Sequence, residues 1–324
     1  MLALALLGLA AWQTSRWLQD SSGPNVAPPR AGTPIAFRPL PYVNYGLTPS
    51  YERDPGEREL TRRSNALGFR GGEIEQPKPA GRTRIVCLGG STTYSDLVDD
   101  ADAYPAQLER ILRERQPDRD LDVVNAGVPS YTSAESLANL ALRVLELSPD
   151  VVVLYQAVND YRTRKYANYD GGYAHYRKVW DGSLDVTVQS DTDELRGGIN
   201  PFVQHDPPPT DVPGHELLRR SGTDAYRRNL TSFVGLARAH GAEPVFVTFL
   251  VHRTSRFVDE LMLRSLDEYN EVMRELGAEH GVTVIDLAAS LDPEGLFGDP
   301  VHMNAKGTLQ KARVVAKGLL DAGL

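Results

Sequence analysis

Cysteine is nearly absent from this chain of 324 residues, in which Cys87 stands alone. A single cysteine excludes an internal disulfide framework, and we expect this one, which lies in an apolar run, to be a small core residue. Acidic residues outnumber basic ones, and the resulting net charge of −8 argues against nucleic acid or an anionic membrane surface as a partner.

Several motifs that mark common enzyme sites are also absent. Without a G-x-S-x-G elbow, the usual α/β-hydrolase is disfavoured. The sequence likewise has no G-x-G-x-x-G, P-loop or H-E-x-x-H motif. Its histidines, among them His175 and His280, are not spaced as metal ligands. We therefore expect neither a metal ion nor a cofactor.

The apolar segment at the start of the sequence, Met1–Trp12, is shorter than the roughly 20 residues that a membrane span needs. No Lys or Arg precedes it, so the basic region of a signal peptide is missing. Two interpretations fit, an export or anchor segment and a short N-terminal helix. We favour export or anchoring by residues 1–20, which predicts a location in the cell envelope, the periplasm or outside the cell; a cytoplasmic location stays open.

Residues 21–81 are predicted to form a linker and an arm. The stretch 21–41 is rich in Pro, Gly and Ser, which is typical of an extended linker rather than a packed element. A turn is predicted at Asn65–Gly71. We expect the arm to lie against the main domain through Tyr42, Tyr45 and Phe69.

From residue 82 onward, strand-like and helix-like runs alternate. The predicted strands cover residues 84–88, 122–126, 151–155, 244–249 and 282–285. The predicted helices cover residues 104–115, 132–145, 226–239, 257–280 and 304–320. Thr132 and Glu135 match a capping box, and Asn304 is a suitable cap. This alternation predicts an α/β domain over residues 82–324, with a mostly parallel five-stranded sheet covered on both faces by helices.

Residues 161–222 interrupt the alternation and are rich in Tyr, Asp, Gly and Pro. A compact domain rarely carries so long an irregular connection unless it has a function. We interpret the segment as a lid or a substrate-binding insertion, with a disordered surface excursion as the alternative. Its tyrosines could stack on a sugar or an acyl group, or simply pack the loop.

Polar residues follow the predicted strands at the edge where a parallel sheet places its sites. Ser91 follows the first strand, and a serine nucleophile needs a base to remove its proton. His302 is the candidate base, and Asp299, three residues earlier, is the candidate group that orients it. The backbone N–H groups of Ser91 and Gly127 and the amide of Asn159 are suitable donors for an oxyanion hole.

A further set of residues is predicted to contact substrate. Gly90, Thr92 and Asp160 lie beside these positions in the chain, and His252 and Arg253 follow the fourth predicted strand. For Asp160 a structural hydrogen-bonding role is favoured over a catalytic one.

Four motifs together resemble the SGNH/GDSL hydrolase superfamily: Gly89-Gly-Ser-Thr92, the Gly127 turn, Val158-Asn-Asp160 and Asp299-Pro-Val-His302. The resemblance covers about residues 82–324 and implies a flavodoxin-like, three-layer α/β/α fold with a Ser-His-Asp esterase mechanism that needs no metal. It also implies the roles given above for Ser91, His302, Asp299, Gly127 and Asn159. The sequence departs from the family pattern at Gly90, where Asp is usual, and at Ala157, where Gly is usual.

The leading hypothesis is a serine hydrolase that cleaves a carboxylic ester with a short acyl or acetyl group through an acyl-enzyme. A second hypothesis is an O-acyltransferase or deacetylase acting on an envelope polysaccharide. A third is a glycan-binding protein that has lost catalysis, against which the intact Ser, His, Asp and Asn set argues. The expected partners are a small-molecule or glycan-borne ester and, through the N-terminal segment, a membrane; no oligomeric state is predicted.

Overall fold

Seven strands form two sheets in the computed structural model, which describes residues 37–52, 60, 62–178, 202–204 and 206–324. Strands β1 (Phe37–Leu40) and β2 (Asn44–Leu47) form an antiparallel hairpin. The remaining strands form one parallel sheet: β3 (Thr83–Gly89), β4 (Leu121–Gly127), β5 (Val151–Tyr155), β6 (Glu243–Val247) and β7 (Thr283–Ile285).

The strand order of the parallel sheet is β4-β3-β5-β6-β7. Numbered within the sheet, this is the flavodoxin order 2-1-3-4-5, in which the winding reverses between the first and third strands. Every residue of β5 is buried, which is expected for a strand at the centre of a sheet that helices cover on both faces. The predicted three-layer α/β/α fold is confirmed.

The described residues form nine α-helices. They are α1 (Ser91–Tyr94), α2 (Tyr104–Arg115), α3 (Ser133–Asn139), α4 (Val158–Thr163), α5 (Gly214–Ser221), α6 (Asp224–Ala239), α7 (Glu260–His280), α8 (Leu287–Ser290) and α9 (Ala305–Asp321). Helices α2 and α9 pack together on one face of the sheet, while α3, α6 and α7 pack in series on the other.

The caps of these helices agree in part with the predictions. The capping box at Thr132 is present, and the Asn304 side chain accepts the Gly307 N–H at the start of α9. The helix predicted to start at residue 257 starts instead at Glu260, because the Asp259 side chain accepts the Met262 N–H and so caps it. The helix predicted through residue 145 continues from α3 as a π-turn over 140–144 and a 3₁₀ turn over 145–147.

The arm is more ordered than its composition predicts. The prediction of an unpacked linker through residue 41 is wrong for residues 37–40, which form β1 because Phe37 is buried against Tyr45. The prediction that the arm packs on the main domain is right for Tyr45 and Phe69, which are buried, and wrong for Tyr42, which is 92% exposed at the tip of the hairpin.

A short stretch of the arm also reaches the edge of the parallel sheet. The predicted turn at Asn65–Gly71 is present, with the Asn65 carbonyl accepting the Gly68 N–H at 2.9 Å. In the same stretch, Arg70 pairs as an antiparallel bridge with Asn125 on the outer side of β4. The arm thus contributes one residue of pairing to the edge strand.

The described part of the 161–222 segment packs onto the domain. Its tyrosines at positions 161, 166, 173 and 176 are buried, so they pack the loop and do not present their rings to a sugar. Residues 179–201 and 205 lie outside the described part of the chain, and the lid stays a prediction. The same holds for the export or anchor role of residues 1–20; in the described ranges no helix has the length and apolarity to cross a membrane.

The hairpin allows a matched test of arm packing. Tyr45 is fully buried, stacks on Phe202 at 4.9 Å between ring centroids and meets Tyr131 edge-on at 5.2 Å. Replacing a buried aromatic residue by alanine typically costs about 3–5 kcal/mol, so Tyr45→Ala should lower the free energy of unfolding in urea by that order. Tyr42→Ala, three residues away and exposed, should leave it unchanged; equal losses in the two variants would contradict this packing.

Candidate active site

The site lies where the winding of the sheet reverses, at the carboxyl end of β3. Gly89 ends the strand with a φ of +151°, and a methyl group there would lie 2.3 Å from the Tyr155 carbonyl oxygen and 2.4 Å from Thr93 Oγ1. Only glycine fits that approach. The chain then turns at Gly90 into α1, whose first residue is Ser91. This tight turn presents the half-buried Ser91 side chain above the sheet edge.

His302 joins Ser91 to Asp299. Its Nε2 lies 2.7 Å from Ser91 Oγ, and its Nδ1 lies 2.6 Å from Asp299 Oδ2. With Nδ1 donating to the carboxylate, Nε2 is left as the acceptor for the serine hydroxyl proton. The three side chains therefore have the connectivity of a nucleophile, a base and an orienting acid.

The Asp299 carboxylate is held by its own loop. Its Oδ1 accepts the backbone N–H groups of Val301 at 2.8 Å and of His302 at 2.7 Å. Burial raises the pKa of Asp299, but the hydrogen bonds from the ring and backbone of His302 and from Val301 outweigh it, and the pKa lies below its usual value. The carboxylate is therefore ionised and fixed in direction before substrate arrives.

Asn159 lies on the next strand connection, in the first turn of α4. Its Nδ2 donates to the Tyr131 carbonyl at 2.8 Å, and a methyl group at Gly90 would lie 2.6 Å from the same nitrogen. A side chain at position 90 would therefore displace the amide. An amide nitrogen carries two hydrogens, so one N–H of Asn159 remains for a ligand beside Ser91.

Gly127 does not offer its N–H group as predicted. That N–H donates to Asn125 Oδ1 at 3.0 Å, and a methyl group at Gly127 would lie 2.3 Å from the Tyr94 nitrogen. The oxyanion-donor prediction for Gly127 is therefore wrong in this structure. Gly127 is required instead because α1 packs directly on its backbone.

Sequence reasoning missed Ser130, which lies in the same loop. Ser130 has a φ of +65°, and the Tyr131 N–H donates to the Val128 carbonyl at 3.1 Å, so Pro129 and Ser130 occupy the central positions of a β-turn. Proline followed by a residue with positive φ is the pattern of a type II turn, and the signal available in the sequence was Pro129 alone, which is favoured at the first central position of a turn. No hydrogen-bond partner of the Ser130 N–H is found among the described residues.

Asp160 is not a substrate-binding residue. It is fully buried and accepts hydrogen bonds from the Ser133 N–H at 3.1 and 3.0 Å and from Gln156 Nε2 at 2.9 Å. The substrate-binding prediction is therefore wrong, because solvent and ligands do not reach the carboxylate. The structural alternative is right: Asp160 fixes the start of α3 to the connection that carries Asn159.

The other residues predicted to contact substrate fall into two groups, since His252 and Thr92 lie beside site residues and Arg253 does not. His252 is half-buried beside the loop of Asp299: its N–H donates to the Pro300 carbonyl at 3.1 Å, and its ring meets Phe297 edge-on at 5.8 Å. Arg253 instead makes a bidentate, exposed ion pair with Asp267 on α7, with both distances 2.9 Å. Thr92 is half-buried on α1 beside Ser91.

The model of the GDSL-like Lipase/Acylhydrolase family matches residues 87–308 of this chain. The chain belongs to the GDSL-like lipase/acylhydrolase family. The resemblance drawn from its four motifs is thereby confirmed, as is the expectation of a carboxylic ester hydrolase.

Similar proteins include esterases. The rhamnogalacturonan acetylesterase RhgT of Bacillus subtilis is 31% identical over 141 residues, which cover 34% of this chain and 60% of that protein. Similar solved structures include Axe2, an acetylxylan esterase from Geobacillus stearothermophilus, with 17% identity, a TM-score of 0.48 and coverage of 73% of this chain and 94% of that one. LAE5, an enzyme from the metagenome of Lake Arreo, has 20% identity, a TM-score of 0.47 and coverage of 74% and 94%.

The buried carboxyl of Asp160 gives a prediction about pH. Burial raises its pKa to about 6, against the opposing hydrogen bonds from Ser133 and Gln156. Between the unfolded pKa near 3.8 and about 6, the folded state binds more protons than the unfolded state, so stability falls as pH rises. A shift of this size corresponds to a loss on the order of 2–3 kcal/mol over that range.

Urea unfolding at pH 4.5 and 7 compares the wild type with Asp160→Asn. The variant is expected to be less stable overall, because an amide places N–H groups where an oxygen accepted. Its free energy of unfolding should also lack the part of the decrease with rising pH that comes from the titration of Asp160. An identical slope in both proteins would contradict the assignment.

Proposed function

We propose that this protein is a serine esterase in which Ser91 is the nucleophile, His302 the general base and Asp299 its orienting partner. The observation that carries the proposal is the pair of hydrogen bonds through His302, at 2.7 Å to Ser91 and 2.6 Å to Asp299. Membership of the GDSL-like lipase/acylhydrolase family supports the hydrolysis of an ester as the reaction class.

The proposed reaction has two halves. Ser91 Oγ attacks the ester carbonyl while His302 Nε2 takes its proton, and His302 then protonates the departing alcohol. Water, deprotonated by the same imidazole, attacks the acyl-enzyme and releases the acid. Asp299 stabilises the imidazolium that forms in each half, because its carboxylate already holds Nδ1.

The oxyanion is proposed to bind to the Ser91 N–H and to the second N–H of Asn159. The Ser130 N–H is a candidate third donor in place of Gly127, because its loop lies against Gly90: the adjacent Tyr131 carbonyl would be 3.3 Å from a methyl group at that position. Donors of this kind, fixed before the reaction, stabilise the charge of the tetrahedral intermediate without a cost in reorganisation.

The proposed substrate is an acetyl ester carried by a polysaccharide. The support is the similarity to a rhamnogalacturonan acetylesterase, which extends over 60% of that protein. A panel of short and long acyl esters, with acetylated pectin and xylan fragments, would rank the substrates, and release of free acetate is the expected product. Transfer of acetyl to an added glycan acceptor would instead identify an acyltransferase.

Ser91→Ala tests the nucleophile. The variant is expected to lose turnover of p-nitrophenyl acetate by several orders of magnitude and to resist labelling by a fluorophosphonate probe, because in the described part of the chain Ser91 carries the one hydroxyl paired with His302. Ser290→Ala, at an exposed serine on α8, is the matched control and should keep both properties. Wild-type turnover in Ser91→Ala would overturn the proposal.

Gly90→Ala tests the oxyanion hole. The added methyl group would lie 2.6 Å from Asn159 Nδ2 and would push the amide from its position. Loss of one oxyanion donor typically costs about 10²–10³ in kcat, and a fall of that order is expected. Gly235→Ala on α6, where a methyl group meets nothing within 4 Å, should leave kcat unchanged. Equal kcat in both variants would argue against the role of Asn159.

A further inference from the structure

Helix α1, which carries Ser91, is too short to be stable without contacts from the rest of the protein. α1 has four residues, whereas an isolated helix shorter than about 12 residues is marginal because its nucleus is costly. Its carbonyl groups also lie at a helix end, where no N–H of the helix itself can reach most of them. Within α1 and its cap, the Ser91 carbonyl accepts the Ser95 N–H at 2.7 Å, and the Thr93 carbonyl accepts Ser95 Oγ at 3.2 Å.

Buried basic side chains from distant parts of the chain bind the carbonyls of Thr92, Tyr94 and Ser95. The Tyr94 carbonyl also accepts Asn125 Nδ2 at 3.3 Å, and the Ser95 carbonyl accepts the Val98 N–H at 3.4 Å. Lys311, from α9, donates through Nζ to the Thr92 carbonyl at 3.1 Å and is 1% exposed. Its nitrogen lies over the ring faces of Tyr104, at 3.7 Å from the centroid, and Tyr155, at 3.4 Å. Burial lowers the pKa of Lys311, but an amine donates a hydrogen in either protonation state.

Arg70, from the arm, binds the other end of the helix. Its Nη1 donates to the carbonyls of Tyr94 and of Ser95, the latter at 2.7 Å, and its Nη2 donates to the Val98 carbonyl at 2.7 Å. Its Nε donates to Asp100 Oδ1 at 2.8 Å, and its guanidinium lies over the Tyr94 ring, 4.4 Å from the centroid. Arg70 is 4% exposed, so water does not compete for these bonds.

We propose that Lys311 and Arg70 are positioning residues for the esterase reaction, which hold the carbonyl groups of α1 so that Ser91 Oγ stays within reach of His302. This inference rests on the proposed role of Ser91 as the nucleophile. Neither side chain touches the reacting atoms, and each acts through the backbone of α1.

The hydrogen bond from Lys311 links α1 to α9, the helix that follows His302. His302 lies two residues before Asn304, the cap of α9, and Lys311 lies on the same helix. The helix that follows the base therefore also binds the backbone one residue beyond Ser91. A shift of α1 relative to α9 changes the distance between Ser91 and His302 directly, and a misplacement of about 1 Å can cost about 10²-fold in rate.

The test uses Lys311→Met and Arg70→Met, with p-nitrophenyl acetate kinetics and the end-point of fluorophosphonate labelling as a count of folded sites. The expected result is a fall in kcat per labelled site of about 10²-fold with KM unchanged, because alignment is lost while binding is kept. Labelling should proceed more slowly but reach completion. Lys311→Gln and Arg70→Lys, which keep one donor each, should recover part of kcat.

The controls are Lys317→Met and Arg84→Lys. Lys317 lies on α9 with its side chain 76% exposed, and Arg84 is a fully buried arginine at the opposite end of β3. Both should keep the wild-type kcat per labelled site, even if Arg84→Lys melts at a lower temperature. A kcat per labelled site in Lys311→Met and Arg70→Met equal to that of the controls overturns the inference.

Two further outcomes distinguish a failure of this inference from a failure of the proposed function. If a methionine variant does not unfold cooperatively, the comparison passes to Lys311→Gln and Arg70→Lys, and an unchanged kcat in both overturns the inference. Wild-type activity and labelling in Ser91→Ala would instead show that the proposed function is wrong, whatever the result for the Lys311 and Arg70 variants.

Discussion

The hydrogen bond between His302 and Ser91 joins side chains that are 211 positions apart in the chain, at 2.7 Å. No local structure can produce such a contact, so the whole parallel sheet has to place both residues. Ser91 is positioned by the turn after β3, and His302 by the loop between β7 and α9. Strands β5 and β6 separate β3 from β7 in the sheet, and the contacts among Ser91, His302 and Asp299 therefore depend on the packing of the sheet and not on local structure.

The arm and the irregular insertion take part in the same geometry. Tyr131 donates its hydroxyl to the Tyr45 carbonyl on β2, and Tyr45 in turn donates its own hydroxyl to the Pro129 carbonyl at 2.7 Å. The Tyr131 carbonyl then accepts the Asn159 amide. Arg177 of the insertion adds a buried ion pair to Glu135 and a bond to the Ser130 carbonyl at 3.3 Å. The arm and the insertion, which lie outside the five-stranded sheet, thus support the loop whose Tyr131 carbonyl binds Asn159.

The sequence was sufficient to predict the five strands of the parallel sheet, the longest helices and the meeting of Ser91, His302 and Asp299, because each depends on apolar periodicity or on short motifs at strand ends. It could not predict the burial of Arg70 and Lys311, since basic residues are almost always exposed unless paired and most of their partners here, including the carbonyls of α1, lie far away in the sequence. Composition also hid β1, whose Pro39 is typical of linkers. The Gly127 N–H is occupied because the Asn125 side chain adopts a rotamer that accepts it, and a sequence pattern does not specify a rotamer.

The bridge between Arg70 and Asn125 has a consequence for how molecules of this protein meet one another. β4 is an edge strand, and an edge with free N–H and C=O groups is a template on which a second chain can add. Here the Arg70 N–H donates to the Asn125 carbonyl at 3.2 Å, and the Glu109 side chain takes the Val123 N–H at 2.8 Å. The arm that binds carbonyl groups of α1 therefore also covers part of this sheet edge, and cleavage of the chain between the arm and β3 would expose the edge of β4 as a site on which neighbouring molecules could aggregate.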